Sequence, residues 1–273
     1  MDLWLLLQAI IMGLVEGITE FLPISSTGHL ILTAQLLDFW TPEKRHMFEV
    51  AVQIGAISAV IYEYWGKLWG ALIGALKGEA NGLRLALGLI VATIPIVILG
   101  LTFGDAIQAV LFNAMTVAIA LIVGGVIILW AEKRSHTIVE QEVEQIGLKK
   151  AAMIGLIQCL ALIPGTSRSG ATIIGGLLMG VSRKAAAEFS FFLGIPVLMG
   201  AGLLALYKEH DSLVGADWGV IGVGIVTAFI SALLVIRALI RYVSKHDFTI
   251  FAWYRIVFGL LILLTSWTGW IQW

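Results

Sequence analysis

The chain has 273 residues, 59% of them hydrophobic and only 13% charged, with a formal net charge of -1 and a mean hydropathy of +0.97. This composition, with apolar runs of spanning length, predicts an all-α integral membrane protein; a membrane barrel would alternate polar and apolar residues. The charge balance argues against nucleic-acid binding, and Cys159, the only cysteine, cannot make an intramolecular disulfide and reads as packing in an apolar stretch. Met1-Asp2-Leu3-Trp4 lacks the basic region and cleavage site of a secretory signal, so the first segment is expected to belong to the mature fold.

In chain order, spans are predicted over 3–22, 48–65, 85–102, 114–131, 186–207, 218–237 and 250–270. Segments 28–37, 151–163 and 170–181 are shorter. At 1.5 Å per residue they reach roughly 15–20 Å, less than a ~30 Å hydrocarbon core, and so read as half-helices. Between the short arms lie Pro23-Ile24-Ser25-Ser26-Thr27-Gly28-His29 and Pro164-Gly165-Thr166-Ser167-Arg168-Ser169-Gly170, two copies of one element. With an offset of 142 positions, Gly13 falls on Gly155, Glu16 on Gln158, Ser25 on Ser167, Ser26 on Arg168 and Gly28 on Gly170. Each copy is expected to be the tip of a re-entrant hairpin.

The likeness continues beyond the hairpins. Glu49 and Gly55 match Glu188 and Gly194 at an offset of 139, and Gly125 matches Gly259 at 134, a drift expected from longer loops in the first half. The predicted fold is therefore a pair of inverted-topology repeats, each with one re-entrant helical hairpin and three transmembrane helices: residues 1–131, a cytoplasmic linker 132–150 read as solvated, and 151–273. Basic residues follow this topology. Twelve of the 17 Lys and Arg residues, among them Lys67, Arg84, Arg134, Lys150, Arg183 and Arg241, fall on one side; Lys44, Arg45 and Lys208 fall on the other; Arg168 and Arg255 lie within the membrane. Cytoplasmic loops carry the positive excess, so both termini and the first hairpin's base are expected outside, the second hairpin is expected to enter from the cytoplasm, and the tips should meet near mid-membrane. Trp4, Trp65, Trp69, Trp267, Trp270 and Trp273, near helix ends, fit an interfacial belt.

Polar Ser, Thr and Gly clusters at membrane depth must line a cavity or a ligand. Two helix N-termini pointing at one cavity offer unsatisfied N–H groups and positive dipole ends to an anion, and Arg168 adds a planar donor fork suited to phosphate oxygens. Glu16 and Glu20, four apart, share a helix face; beside an anion site they would hold a divalent cation or transfer protons, unless bonded to a neighbouring Ser or to Arg168. His29 is a candidate general acid or base, a phosphate donor, or a hydrogen-bonded interfacial histidine. The second copy has Gln158, Leu162 and Ala171 where the first has Glu16, Glu20 and His29, which puts proton-transfer groups on the outer hairpin alone. Arg255, Glu49 and Glu188 read as structural charges.

Glu16-Gly17-Ile18-Thr19-Glu20-Phe21-Leu22-Pro23-Ile24-Ser25-Ser26-Thr27-Gly28-His29 and Pro164-Gly165-Thr166-Ser167-Arg168-Ser169-Gly170-Ala171-Thr172 closely resemble the undecaprenyl-diphosphate phosphatase family, also called bacitracin-resistance proteins. The resemblance covers essentially the whole chain. It implies a bacterial plasma-membrane enzyme that hydrolyses undecaprenyl diphosphate to undecaprenyl phosphate and inorganic phosphate on the periplasmic side, recycling the carrier for peptidoglycan and conferring bacitracin resistance. A divalent cation (Mg²⁺ or Ca²⁺) is implied, the lipid bilayer is the surroundings, and a homodimer is compatible. On matching positions, Ser26 is the nucleophile with Glu20 or His29 taking its proton; Arg168, Ser25, Thr27, Gly28, Ser167, Ser169 and Gly170 hold the diphosphate; Glu16 and Glu20 hold the metal. A metal-activated water with Ser26 as a ligand remains open beside this, as does a polyprenyl phosphate transporter or flippase built on the same inverted repeats.

Overall fold

The computed structural model describes residues 2–134, 136–209, 213 and 215–269, the side chains of 209 and 216 excepted; the predicted belt positions Trp270 and Trp273 lie outside them. All regular structure among these residues is helical: α1 (Leu3–Thr19), α2 (Ser26–Leu37), α3 (Pro42–Glu63), α4 (Trp65–Leu76), α5 (Ala80–Leu111), α6 (Ala114–Glu132), α7 (Leu148–Gln158), α8 (Arg168–Leu178), α9 (Arg183–Glu209), α10 (Gly215–Val243) and α11 (Thr249–Trp267). Among them α5, α6, α9, α10 and α11 are long and apolar enough to cross a membrane, and α3 with α4 passes the same test as a pair bent by 74°. Leu and Ile side chains exposed along α5, α6, α10 and α11 are the lipid-facing surface of a multi-pass membrane protein. Helix α4 lies between α3 and α5, where the sequence reading expected only a loop.

The polar stretch before α7 is mostly exposed or half-exposed but is anchored at a few points. Val143 and Ile146 are buried, Glu140 bridges to Val181, and Lys150 pairs with Glu140 at 2.5 Å. The segment is thus strapped across the bundle end that also carries the Arg183–Glu132 and Lys67–Glu188 pairs. At the other end Lys44 of α3 meets Asp217 of α10 at 2.7 Å.

Glycines set the helix crossings. A Cβ on Gly13 or Gly17 of α1 would lie 2.1 Å from Thr227 Oγ1 or Ser231 Oγ of α10. On Gly155 of α7 it would lie 2.4 Å from the Ala92 carbonyl oxygen of α5. Gly125 of α6 packs on the Ala252 carbonyl of α11, while Gly259 of α11 packs on the Ala118 carbonyl of α6. Such contacts let backbones approach closely where lipid leaves no hydrophobic force between helices. Pro95 and Pro196 interrupt the ladders of α5 and α9 beside the cavity that the two polar turns enclose.

Candidate active site

The turn between α1 and α2 and the turn between α7 and α8 meet in the interior. Ser169 Oγ donates to the Leu22 carbonyl at 2.9 Å. Arg255 of α11, 1% exposed, donates to Pro23 of one turn and Gly165 of the other at 3.1 and 3.2 Å, and also to the Leu121 and Ala120 carbonyls of α6. It has no carboxylate partner among the described residues; it is a clasp that satisfies one carbonyl in each turn and anchors on two carbonyls of α6, more specific than the generic structural charge read from sequence. Gly124 makes room for it, since a Cβ there would come within 2.1 Å of Nη2.

Each turn ends in a serine held at positive φ: Ser25 at φ 70°, ψ 101° and Ser167 at φ 70°, ψ 112°. Non-glycine residues rarely adopt this conformation, which costs about 1–3 kcal/mol and persists only where the surroundings impose it. It turns the first N–H groups of α2 and α8 inward, where the dipole ends favour an anion.

The cavity they enclose has a volume of about 210 Å³, and Glu20, Ser25, Ser26, Thr27, Gln53, Ser167 and Arg168 supply its polar wall. Ser26 Oγ donates to Glu20 Oε2 at 2.6 Å; Arg168 Nη2 donates to Glu20 Oε1 at 2.8 Å. Arg168 Nη1 is held by the Ser190 carbonyl at 2.6 Å, and its buried Nε has no protein partner. The guanidinium lies flat on α9 at Gly194, where a Cβ would come within 2.7 Å of it.

Of the other sequence candidates, Ser167 is on the cavity wall, while Ser169, Gly170, Gly28 and His29 stand farther back. Ser169 donates its single proton to Leu22, so Ser167 donates to Ser169 at 3.1 Å while accepting from the Gly170 N–H. These hydroxyls and Gly170 build the second turn. His29 is not on the cavity wall: Nδ1 bonds the Ser25 carbonyl and Nε2 the Tyr254 hydroxyl, each at 2.7 Å, and its ring stacks on Phe258. A carbonyl only accepts, so Nδ1 carries the proton and Nε2 accepts from Tyr254. Gly28 packs close to Val117 and Phe258.

Glu16 is fully buried, and neither of its oxygens has a hydrogen-bond partner; its charged neighbours are Glu20, Glu49 and Arg168. One oxygen of Glu49 is also unpartnered, whereas Glu188 pairs with Lys67 at 2.7 Å as a structural charge should. Glu16 is not on the cavity wall, but an orphaned buried carboxylate with Glu20 as a neighbour offers oxygen donors of the kind Mg²⁺ or Ca²⁺ takes. Among the described residues no three His, Cys, Asp or Glu side chains converge to hold an ion alone, so phosphate or water oxygens would complete the coordination. Gln53, Ser190 and Tyr254 were missed from sequence; a glutamine inside Ala51-Val52-Gln53-Ile54 and a serine inside Phe189-Ser190-Phe191 are polar interruptions of spanning runs that could have flagged two of them.

The sequence pattern of the bacitracin resistance protein BacA matches residues 9–261. The chain is 65% identical, over the full length of both proteins, to undecaprenyl-diphosphatase 1 of Acinetobacter baylyi. It is 61% identical to the undecaprenyl-diphosphatase of Psychrobacter cryohalolentis, covering 98% of this chain and 97% of that one. With undecaprenyl-diphosphatase 1 of Chromobacterium violaceum it shares 57% identity over 98% of this chain and 99% of the other.

Proposed function

The chain belongs to the bacitracin resistance protein BacA family, and we propose that its reaction, hydrolysis of undecaprenyl diphosphate to undecaprenyl phosphate and inorganic phosphate, runs through Ser26 with Glu20 as base and Arg168 as phosphate clamp. The observation that carries this is the shared carboxylate: Glu20 takes the Ser26 hydroxyl on one oxygen and Arg168 on the other.

In this reading the terminal phosphate sits between the N–H groups that open α2 and α8, with Thr27, Ser25 and the unpartnered Arg168 Nε as further donors. Ser26 Oγ bonds to the terminal phosphorus as its proton passes to Glu20. The bond from phosphorus to the bridging oxygen breaks, and undecaprenyl phosphate leaves. Water then displaces Ser26 from phosphorus, Glu20 returns the proton to Oγ, and inorganic phosphate departs. Arg168 and the N–H groups stabilise charge on the transferring phosphoryl group, the dominant contribution in such transfers. His29 acts as a positioning residue, fixing the Ser25 carbonyl and so the strained turn before Ser26. Glu16 and Glu20 would hold a divalent cation, which when bound neutralises phosphate charge.

The surrounding architecture is two inverted repeats, each with a re-entrant hairpin and three spans. The matched conformations of Ser25 and Ser167, the reciprocal packing of Gly125 and Gly259, and the use of Gly13 on α10 and Gly155 on α5 support this. The base of the first hairpin, and with it the site's access, faces the periplasm in this reading, which the basic-residue distribution supports. Rapid acid quench of the working protein tests the chemistry: phosphate bound covalently at Ser26 is expected, and its absence under single-turnover conditions would transfer the attack to water.

A further inference from the structure

The cavity, at about 210 Å³, is smaller than the ~300–1,000 Å³ of pockets that enclose whole drug-sized ligands. It has room for a phosphate head and not for a polyprenyl chain, so the hydrocarbon must leave through the wall. Two wall residues, Leu162 and Ile163 at the end of the 3-10 turn after α7, also line an apolar slot of about 470 Å³. Its opposite wall is a stripe on the distal half of α5 that includes Leu99, Phe103, Ala106 and Val110, residues that recur at helical spacing. No charged residue lines it. The other side of the same stretch of α5 is different: Asp105 faces a separate space of about 520 Å³ together with Glu43, His46 and Lys208. Val50 and Ala201 of that space lie about one helical turn from Gln53 and Val197 of the cavity. The distal half of α5 thus separates a polar approach from an apolar one.

We propose that the prenyl chain crosses the Leu162–Ile163 edge and lies in the slot between α5 and the 3-10 turn, so that this slot binds the isoprene units nearest the diphosphate. This rests on the phosphatase reading of the cavity. A larger apolar groove of about 680 Å³ between α3, α4, α5 and α9 shares no wall residue with the cavity. Val97, Ile195 and Pro196 line that groove while the adjacent Ile96 and Val197 line the cavity, because successive helix positions point in different directions. Since bilayer and slot are equally apolar, the slot contributes alignment of the scissile bond, not transfer energy.

Ala106 is exposed, so Ala106→Trp fills the slot without touching the core. It should raise the KM for undecaprenyl diphosphate about tenfold, the scale of a steric conflict of ~1–3 kcal/mol, while the inhibition constant of inorganic pyrophosphate stays unchanged. Ala86→Trp in the larger groove should do neither. An unchanged KM in Ala106→Trp, an equal rise in both constants, or the KM rise appearing in Ala86→Trp instead would overturn the assignment. On the unmodified protein, a prenyl diphosphate with a photoactivatable group near its first isoprene units should label residues 99–111; labelling confined to 86–98 or to α9 would also overturn it. Absence of phosphate release by the unsubstituted protein would defeat the phosphatase reading, and the labelling would still report where the chain lies.

Discussion

Ser26 and Arg168 occupy the two oxygens of one carboxylate, Ser26 Oγ at 2.6 Å from Glu20 Oε2 and Arg168 Nη2 at 2.8 Å from Oε1. Glu20 therefore orients the proposed nucleophile and the proposed phosphate clamp together. Glu20→Gln keeps the shape and removes the charge; turnover is expected to fall by about three orders of magnitude or more with the protein still monodisperse in detergent. Phosphate release beside size-exclusion chromatography measures both. Arg168→Ala should lose about 10³–10⁵-fold, the scale of a phosphoryl-clamping arginine, and Arg168→Lys should recover little, since a point charge cannot replace a planar fork holding Glu20, Ser190 and phosphate at once. Near-normal kcat in Arg168→Ala would defeat the clamp.

Arg255 predicts a different phenotype. Removing it leaves the Pro23 and Gly165 carbonyls of the two turns without their donor in the interior, each worth about 1–3 kcal/mol if fully orphaned, while the Ala120 and Leu121 carbonyls keep their bonds within α6. Arg255→Met is expected to lower the unfolding temperature in detergent by many degrees, and Gly124→Val, which drives a side chain into the guanidinium, should reproduce it. An Arg255→Met protein with unchanged thermal stability would show that the clasp is not what joins the turns.

Metal dependence reads on Glu16. Chelation of divalent cations should abolish phosphate release, and re-addition of Mg²⁺ or Ca²⁺ should restore it. Glu16→Gln should then need a cation concentration at least tenfold higher for half-maximal rate, one oxygen ligand having lost its charge. Unaltered cation titration in that variant would leave the orphaned carboxylate without this role.

Sidedness is tested with Cys159 first replaced by Ala. Thr41 and Val139 are both exposed and lie near opposite ends of the bundle. Thr41→Cys should react with an impermeant thiol reagent outside intact spheroplasts, and Val139→Cys only after permeabilisation. The opposite pattern would turn the first hairpin toward the cytoplasm.

Much of this arrangement is legible in the sequence because hydrocarbon is an unforgiving solvent. Ser25-Ser26-Thr27 and Ser167-Arg168-Ser169 could not sit in long apolar runs without a cavity, and their 142-residue repeat marks the two turns as one element used twice. Spacing also placed Glu16 and Glu20 on one face. What spacing cannot give is the partner across the bundle. His29 looked like a base because it follows the serines, yet the structure gives its nitrogens to Ser25 and Tyr254, 225 residues away. Nor does spacing show that the Ser167 and Ser169 hydroxyls bond each other and the Leu22 carbonyl of the facing turn. Within the mostly exposed charged linker, Val143 and Ile146 are too few to show in the sequence as anchors before their burial is seen.

The clasp on the two turns also orders assembly in time. Arg255 belongs to α11, the last helix among the described residues, so while the chain is being made, the turns carrying Ser26 and Arg168 enter the membrane long before the side chain that ties them together. Chains emerge N-terminus first, and a nascent protein halted after α8 but before α11 carries Glu20, Ser26 and Arg168 without the Arg255 bonds to Pro23 and Gly165. Competence would then arrive in one late step, coincident with completion of the bundle.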